Sequence, residues 1–125
     1  MKPEAAALLD KARRSLADAE RILLIEADAV AAREAYMAAF HAAQALLFER
    51  TGRVPKTHSG VHAAFGQLTI QELGLSRDLG RFLADAYTQK QIADYATDRT
   101  VDKAKAKQTI AAAALLLATV EDVIA

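Results

Sequence analysis

The segment from Asp28 to Thr51, DAVAAREAYMAAFHAAQALLFERT, most constrains the fold of this chain. It runs 24 residues without Gly or Pro. Tyr36, Phe40, Ala43 and Leu47 repeat at helical spacing, and Ala31, Ala35, Ala38, Ala42 and Leu46 extend the apolar surface around them. Only a narrow strip of Arg33, Glu34, His41 and Gln44 is polar. A helix that is apolar on most of its circumference belongs in the middle of a bundle, not on its surface. Asp28 is suited to cap its start and Gly52 to end it.

The rest of the chain supplies helices to surround it. Leu8, Leu9, Ala12, Leu16, Ala19 and Leu23 form one stripe of a helix predicted from Pro3 to Leu24. RTGRVPKTHSGV, with a Gly and a Pro, is the main loop, after which Thr57 or Ser59 caps a short helix reaching about Leu73. Ser76 caps a fourth helix to about Tyr95, striped by Leu79, Phe82, Leu83, Ala86 and Ala93. Thr100 caps a fifth to the chain's end, with Ala106, Ile110, Ala113, Leu117, Val120 and Ile124 on its seam. No stretch alternates β-branched with polar residues over a strand's length. The expectation is all-α: an up-and-down antiparallel bundle of about five helices, one domain over residues 1–125, with the second and fifth helices most buried.

Hydrophobic residues make up 53% of the chain but aromatics only 6%, so the core must come from closely approaching, alanine-rich helices. Lys plus Arg and Asp plus Glu are 16 each, which argues against holding nucleic acid by bulk charge; any such site must be local. The absence of Cys excludes disulfides, thiolate chemistry and Cys-based zinc sites. The start, MKPEAAALLDKARR, reads as a helix and not as a signal peptide. Ile110 to Val120 is the longest apolar run and falls short of the ~20 residues a membrane span needs. A cytoplasmic protein is expected. The same run is apolar on nearly every face, which favours a homodimer.

Four places could carry chemistry. His58 and His62 in HSGVH are spaced i, i+4 like two zinc ligands, but the Glu of a metalloprotease helix is missing, so two exposed histidines are the simpler reading and no metal is expected. Lys56, Thr57, His58 and Ser59 open a helix, where free N–H groups favour an anion; the alternative is a plain cap with a solvated lysine. Arg33, Met37 and His41 share a side of the second helix, so Arg33 and His41 could bind a phosphate and move a proton, or simply face water or another subunit. Lys90 lies on the fourth helix's apolar stripe and needs a partner, with Asp94 one turn on; otherwise it snorkels to water. Lys103, Lys105 and Lys107 read as a solvated face.

Three segments, EAYMAAFHAAQALL (34–47), KTHSGV (56–61) and AYTQKQIADY (86–95), resemble in order and spacing the HEPN superfamily, and in particular its small prokaryotic branch. The resemblance covers nearly the whole chain. It implies a dimeric helical bundle without a cofactor, often paired with a minimal nucleotidyltransferase (MNT) in toxin–antitoxin-like systems. Many HEPN proteins are metal-independent ribonucleases using an Arg and a His on one helix, and some carry a Tyr that the partner adenylylates, a place that Tyr95 would take here. This chain has Glu34 where the branch commonly has Arg, Lys90 where it commonly has Arg, and Asp94 about where the ribonuclease branches place the catalytic His. The resemblance therefore implies binding of nucleotide, RNA or the partner protein ahead of robust catalysis. A ribonuclease toxin using Arg33 and His41, or Lys90 and Asp94, is the alternative, and a plain dimerisation module is the second alternative.

Overall fold

The computed structural model describes all of residues 1–125. Five α-helices, α1 (Pro3–Leu24), α2 (Asp28–Thr51), α3 (His58–Gln67), α4 (Asp78–Tyr95) and α5 (Lys103–Ile124), form a sheet-free bundle. A π-helical turn, Leu68–Glu72, extends α3. No helix is long and apolar enough to cross a membrane.

Helix α2 is the centre. Twelve of its 24 residues are buried, eight of them alanines, and it packs against each of the other four helices. Small side chains let four neighbours approach one axis closely, and dispersion over that close-packed surface replaces the large aromatics that the composition lacks. Helix α5 follows with six buried residues, while α1 and α4 bury one stripe each. Leu9, Ala12 and Ala19 of the predicted α1 stripe are buried, as are Leu79, Leu83 and Ala86 of the α4 stripe.

The helix ends differ from the sequence expectation in instructive ways. Asp28 does not cap α2; Ala27 holds that position, reached through Glu26 in the left-handed region (φ 62°), and the turn is tied to α5 by Lys103 Nζ donating to Glu26 at 2.8 Å. Lys103, Lys105 and Lys107 are all exposed, as expected, and Lys103 also ties the turn to α5 from the surface. Helix α3 begins on Thr57, whose hydroxyl accepts from the Gly60 N–H at 3.0 Å, and not on Ser59. A Cβ on Gly60 would come within 2.9 Å of both Pro55 Cβ and Thr57 Oγ1, so glycine is what lets the loop fold back against α3. Asp102, not Thr100, caps α5, accepting from Lys105 N–H at 2.8 Å. Asp and Thr are both good caps, and Asp102 stands only two residues beyond the Thr100 that the sequence reading chose.

Candidate functional site

Tyr36 lies on α2 with no exposed surface, so its hydroxyl must find partners inside the protein. It finds two. The Tyr36 oxygen is 2.6 Å from His58 Nδ1 and 3.0 Å from His62 Nε2. The i, i+4 spacing puts both imidazoles on the face of α3 that packs on α2, and the Thr57 cap fixes where that helix begins. These histidines are thus half-buried and partnered, which corrects the expectation of two exposed rings. No group of three or more metal-ligating side chains converges around them.

The arrangement has a direction. A phenol has one proton to give, so one imidazole accepts it and the other donates an N–H to the same oxygen. Exchanging the two roles requires both rings to change tautomer, because shifting protons along the bridge alone would turn two neutral rings into an imidazolate and an imidazolium. Burial, then the neighbouring Tyr87, holds the Tyr36 hydroxyl far above its ordinary range, so it stays neutral. Burial also lowers both histidines, with the Lys90 ammonium adding to the effect at His58 and His58 adding to it at His62. Near neutral pH both rings are therefore uncharged, the form in which a histidine accepts a proton. Phe40 stacks on His58 at 4.4 Å between centroids, and Tyr87 of α4 packs on Tyr36, His58 and His62 at 5.1, 5.5 and 5.3 Å.

Beside this aromatic group stand the charges. Lys90 Nζ donates to Asp94 Oδ2 at 2.9 Å, and both side chains are mostly covered, 18% and 20% exposed. Lys90 therefore has the partner that its place on the apolar stripe demands. Asp94 draws a second cation, Arg33 of α2, whose Nη1 lies 3.7 Å from Oδ1. The hydrogen bond to Asp94, ahead of its charge, raises the Lys90 pKa, so the ammonium is permanent. Two cations against one carboxylate leave the cluster net positive. Most of the N–H donors of Arg33 and Lys90 remain available for an anion. Tyr95 is 72% exposed, with Lys90 Nζ 5.7 Å from its ring centroid.

The two residues expected to work together on α2 are not brought together. Residues eight apart on a helix are rotated by about 80°. Arg33 turns towards Asp94 of α4. His41 hydrogen-bonds Gln44 Oε1 through Nδ1 at 2.9 Å and is lowered mainly by burial, with Lys11 of α1 and Glu34 acting on its charge. Lys56 and Ser59 are exposed at the start of α3, and the Gly60 N–H that an anion there would use is already taken by Thr57. Sequence reasoning missed Tyr36 and Tyr87 as site residues and weighed His62 only as a metal ligand. Their signal was a pair of tyrosines on buried helical seams, whose hydroxyls need partners, and a histidine pair at helical spacing able to supply them.

The sequence model described as HEPN domain matches residues 5–123. Two proteins of Methanocaldococcus jannaschii that carry the name "putative toxin" are similar to this chain. One is 35% identical over 106 residues, covering 82% of this chain and 76% of that protein; the other is 33% identical over 101 residues, covering 81% and 67%. A domain match over nearly the full length, two relatives above 30% identity and a helical bundle without strands agree, and the chain belongs to the HEPN family.

Proposed function

We propose that this HEPN chain is a toxin-type protein that holds a phosphate group of RNA or of a nucleotide at the junction of α2, α3 and α4, as one member of a pair with a nucleotidyltransferase. The observation that carries this is the grouping of Lys90 and Arg33 on one carboxylate beside two imidazoles kept neutral by burial. Fixed cations suit an anion. Uncharged imidazoles add hydrogen bonding without a second charge, and the neighbouring aromatic rings lower the local dielectric and strengthen each contact. The names of the two relatives support the toxin role. The Tyr95 hydroxyl, on an exposed ring at the end of α4, is open to a modifying partner. We also assign the chain a homodimer, on the apolar surface left on α5, where Leu115 is 53% exposed; light scattering at micromolar concentration checks it, and a monomer would refute it. Titration with a short single-stranded RNA tests the binding site. The wild type should bind, and Lys90→Ala should weaken binding at least tenfold. Unchanged affinity in Lys90→Ala would remove Lys90 from the site.

A second reading has its own observation. Two neutral histidines joined through one hydroxyl form an acid–base pair, so the same site is equipped for ribonuclease chemistry with His58 and His62 in place of His41. One imidazole would take the proton of a ribose 2′-OH as that oxygen attacks the adjacent phosphorus. That ring, now an imidazolium, passes a proton through the Tyr36 hydroxyl to the second imidazole, which gives it to the 5′-oxygen as the bond from phosphorus to that oxygen breaks. Lys90 and Arg33 would stabilise the charge on the phosphorane. Metal-independent cleavage of single-stranded RNA that is lost in both His58→Ala and His62→Ala, and kept in His41→Ala, is the outcome of this reading. No cleavage by the wild type leaves binding alone.

A further inference from the structure

On the side of Lys90 away from the histidines, the end of α4 and the chain that follows it enclose an open cavity of about 510 Å³. Its walls combine three kinds of chemistry. Tyr87, Gln91 and Tyr95 follow one another at i, i+4 and i+8 and so lie in a stripe along α4. Ala96, the bend at Thr97 and Asp98, and Arg99 complete the lining. Arg99 forms no ion pair, and Gln91 makes no side-chain hydrogen bond within the protein, although a primary amide offers both donors and an acceptor. The 72% exposed ring of Tyr95 is the largest aromatic surface that the fold leaves to solvent.

We propose that this cavity is a base-binding subsite, taking one unpaired nucleobase whose phosphate sits at Lys90 and Arg33. The inference rests on the phosphate reading given above and extends it to the part of the ligand that carries sequence identity. Tyr95 supplies a π-face on which a base stacks. Gln91 presents an amide to the edge of that base, and Arg99 faces a neighbouring phosphate. Lys90 joins the two subsites, because its ammonium lies both on Asp94 and 5.7 Å from the Tyr95 centroid. Tyr87 joins them again, since it lines the cavity on one side and packs on His58 on the other. A base can enter only when it is unstacked from its neighbours. The site therefore takes free nucleotides and single strands and rejects duplexes.

Calorimetric titration of the full chain with adenosine 5′-monophosphate, ribose 5-phosphate, a short single-stranded RNA and the same RNA as a duplex tests the proposal. The nucleotide should bind about tenfold or more tighter than ribose 5-phosphate, the gain expected from one stacked base. Tyr95→Ala should erase that difference while leaving ribose 5-phosphate affinity unchanged, and Tyr95→Phe should restore it. The exposed position of Tyr95 makes both variants safe for folding. Tighter binding of the single strand than of the mononucleotide identifies RNA as the source of the base, and equal binding identifies a free nucleotide; either supports the subsite. Equal affinity of nucleotide and ribose 5-phosphate in the wild type overturns the subsite and leaves the phosphate site standing. Duplex bound as tightly as single strand also overturns it. Failure of every ligand to bind overturns the phosphate reading and the subsite with it.

Discussion

Two ion pairs in this bundle look alike on paper and differ in everything around them. Arg13 of α1 holds Glu121 of α5 through Nε and Nη2 at 3.0 and 2.7 Å, with side chains 48% and 37% exposed. Lys90 holds Asp94 at 2.9 Å with both side chains about four-fifths covered, near Tyr87 and Tyr95 and close enough to His58 to act on its charge. The first pair joins two helices across their solvent edge, where the bundle would close without it. The second sits on a stripe that packing alone would have made apolar. An exposed pair at ideal geometry explains itself as surface. Under the proposed function the covered pair serves a ligand and not the fold, since replacing such a pair with apolar side chains often costs a fold nothing.

Several substitutions would break that contrast, and the largest effect is expected at Tyr36. Tyr36→Phe keeps the ring but leaves His58 and His62 without their shared partner, which should cost about 1–3 kcal/mol in chemical denaturation. A loss below a few tenths would show that water replaces the hydroxyl at no cost. Next is the response to acid. The folded-state pKa values of His41, His58 and His62 are all lowered, so the unfolded chain binds more protons as pH falls through and below the usual histidine range. Stability should be full above about pH 6.5 and decline from there towards pH 5. Tyr36→Phe should change this slope, and a slope that stays flat across the window would contradict the burial of the rings.

Lys90→Ala should cost stability by about 1 kcal/mol, because Asp94 keeps Arg33 as a second partner. A cost several times larger would make the pair structural and weaken the case for a ligand. The smallest effect is expected at the surface pair. Arg13→Ala should lose no more than about 1 kcal/mol, with that loss shrinking at high salt. Comparing the two variants at low and high salt separates a screened contact from a covered one.

The architecture was largely legible because its signal is repetitive. The α2 segment alone implies a central helix, and the α1 boundaries, Pro3 and Leu24, follow from Pro near the start and the end of the leucine stripe. Caps were harder, since Thr57 and Ser59, or Thr100 and Asp102, offer equivalent chemistry within a few residues of each other. The site was legible only in pieces. Lys90 and Asp94 could be paired because they are one turn apart on one helix. Arg33 joins them from a different helix, and the Tyr36 bridge to His58 and His62 spans 22 and 26 residues of chain. Nothing local encodes which buried hydroxyl meets which imidazole. The pairing of Arg33 with His41 failed for the opposite reason: the two share a helix, but a rotation of about 80° sends one to α4 and the other towards α1.

The three histidines make the central claim directly measurable, because His58 and His62 lie in the proposed phosphate site while His41 lies on the far side of α2. Two-dimensional NMR of the imidazole resonances, followed while a short single-stranded RNA is added, reads all three at once. The account predicts that the His58 and His62 signals shift in a saturable way, that those of His41 stay in place, and that Lys90→Ala abolishes the shifts. Saturable shifts confined to His41, or shifts at His58 and His62 that persist in Lys90→Ala, would contradict it.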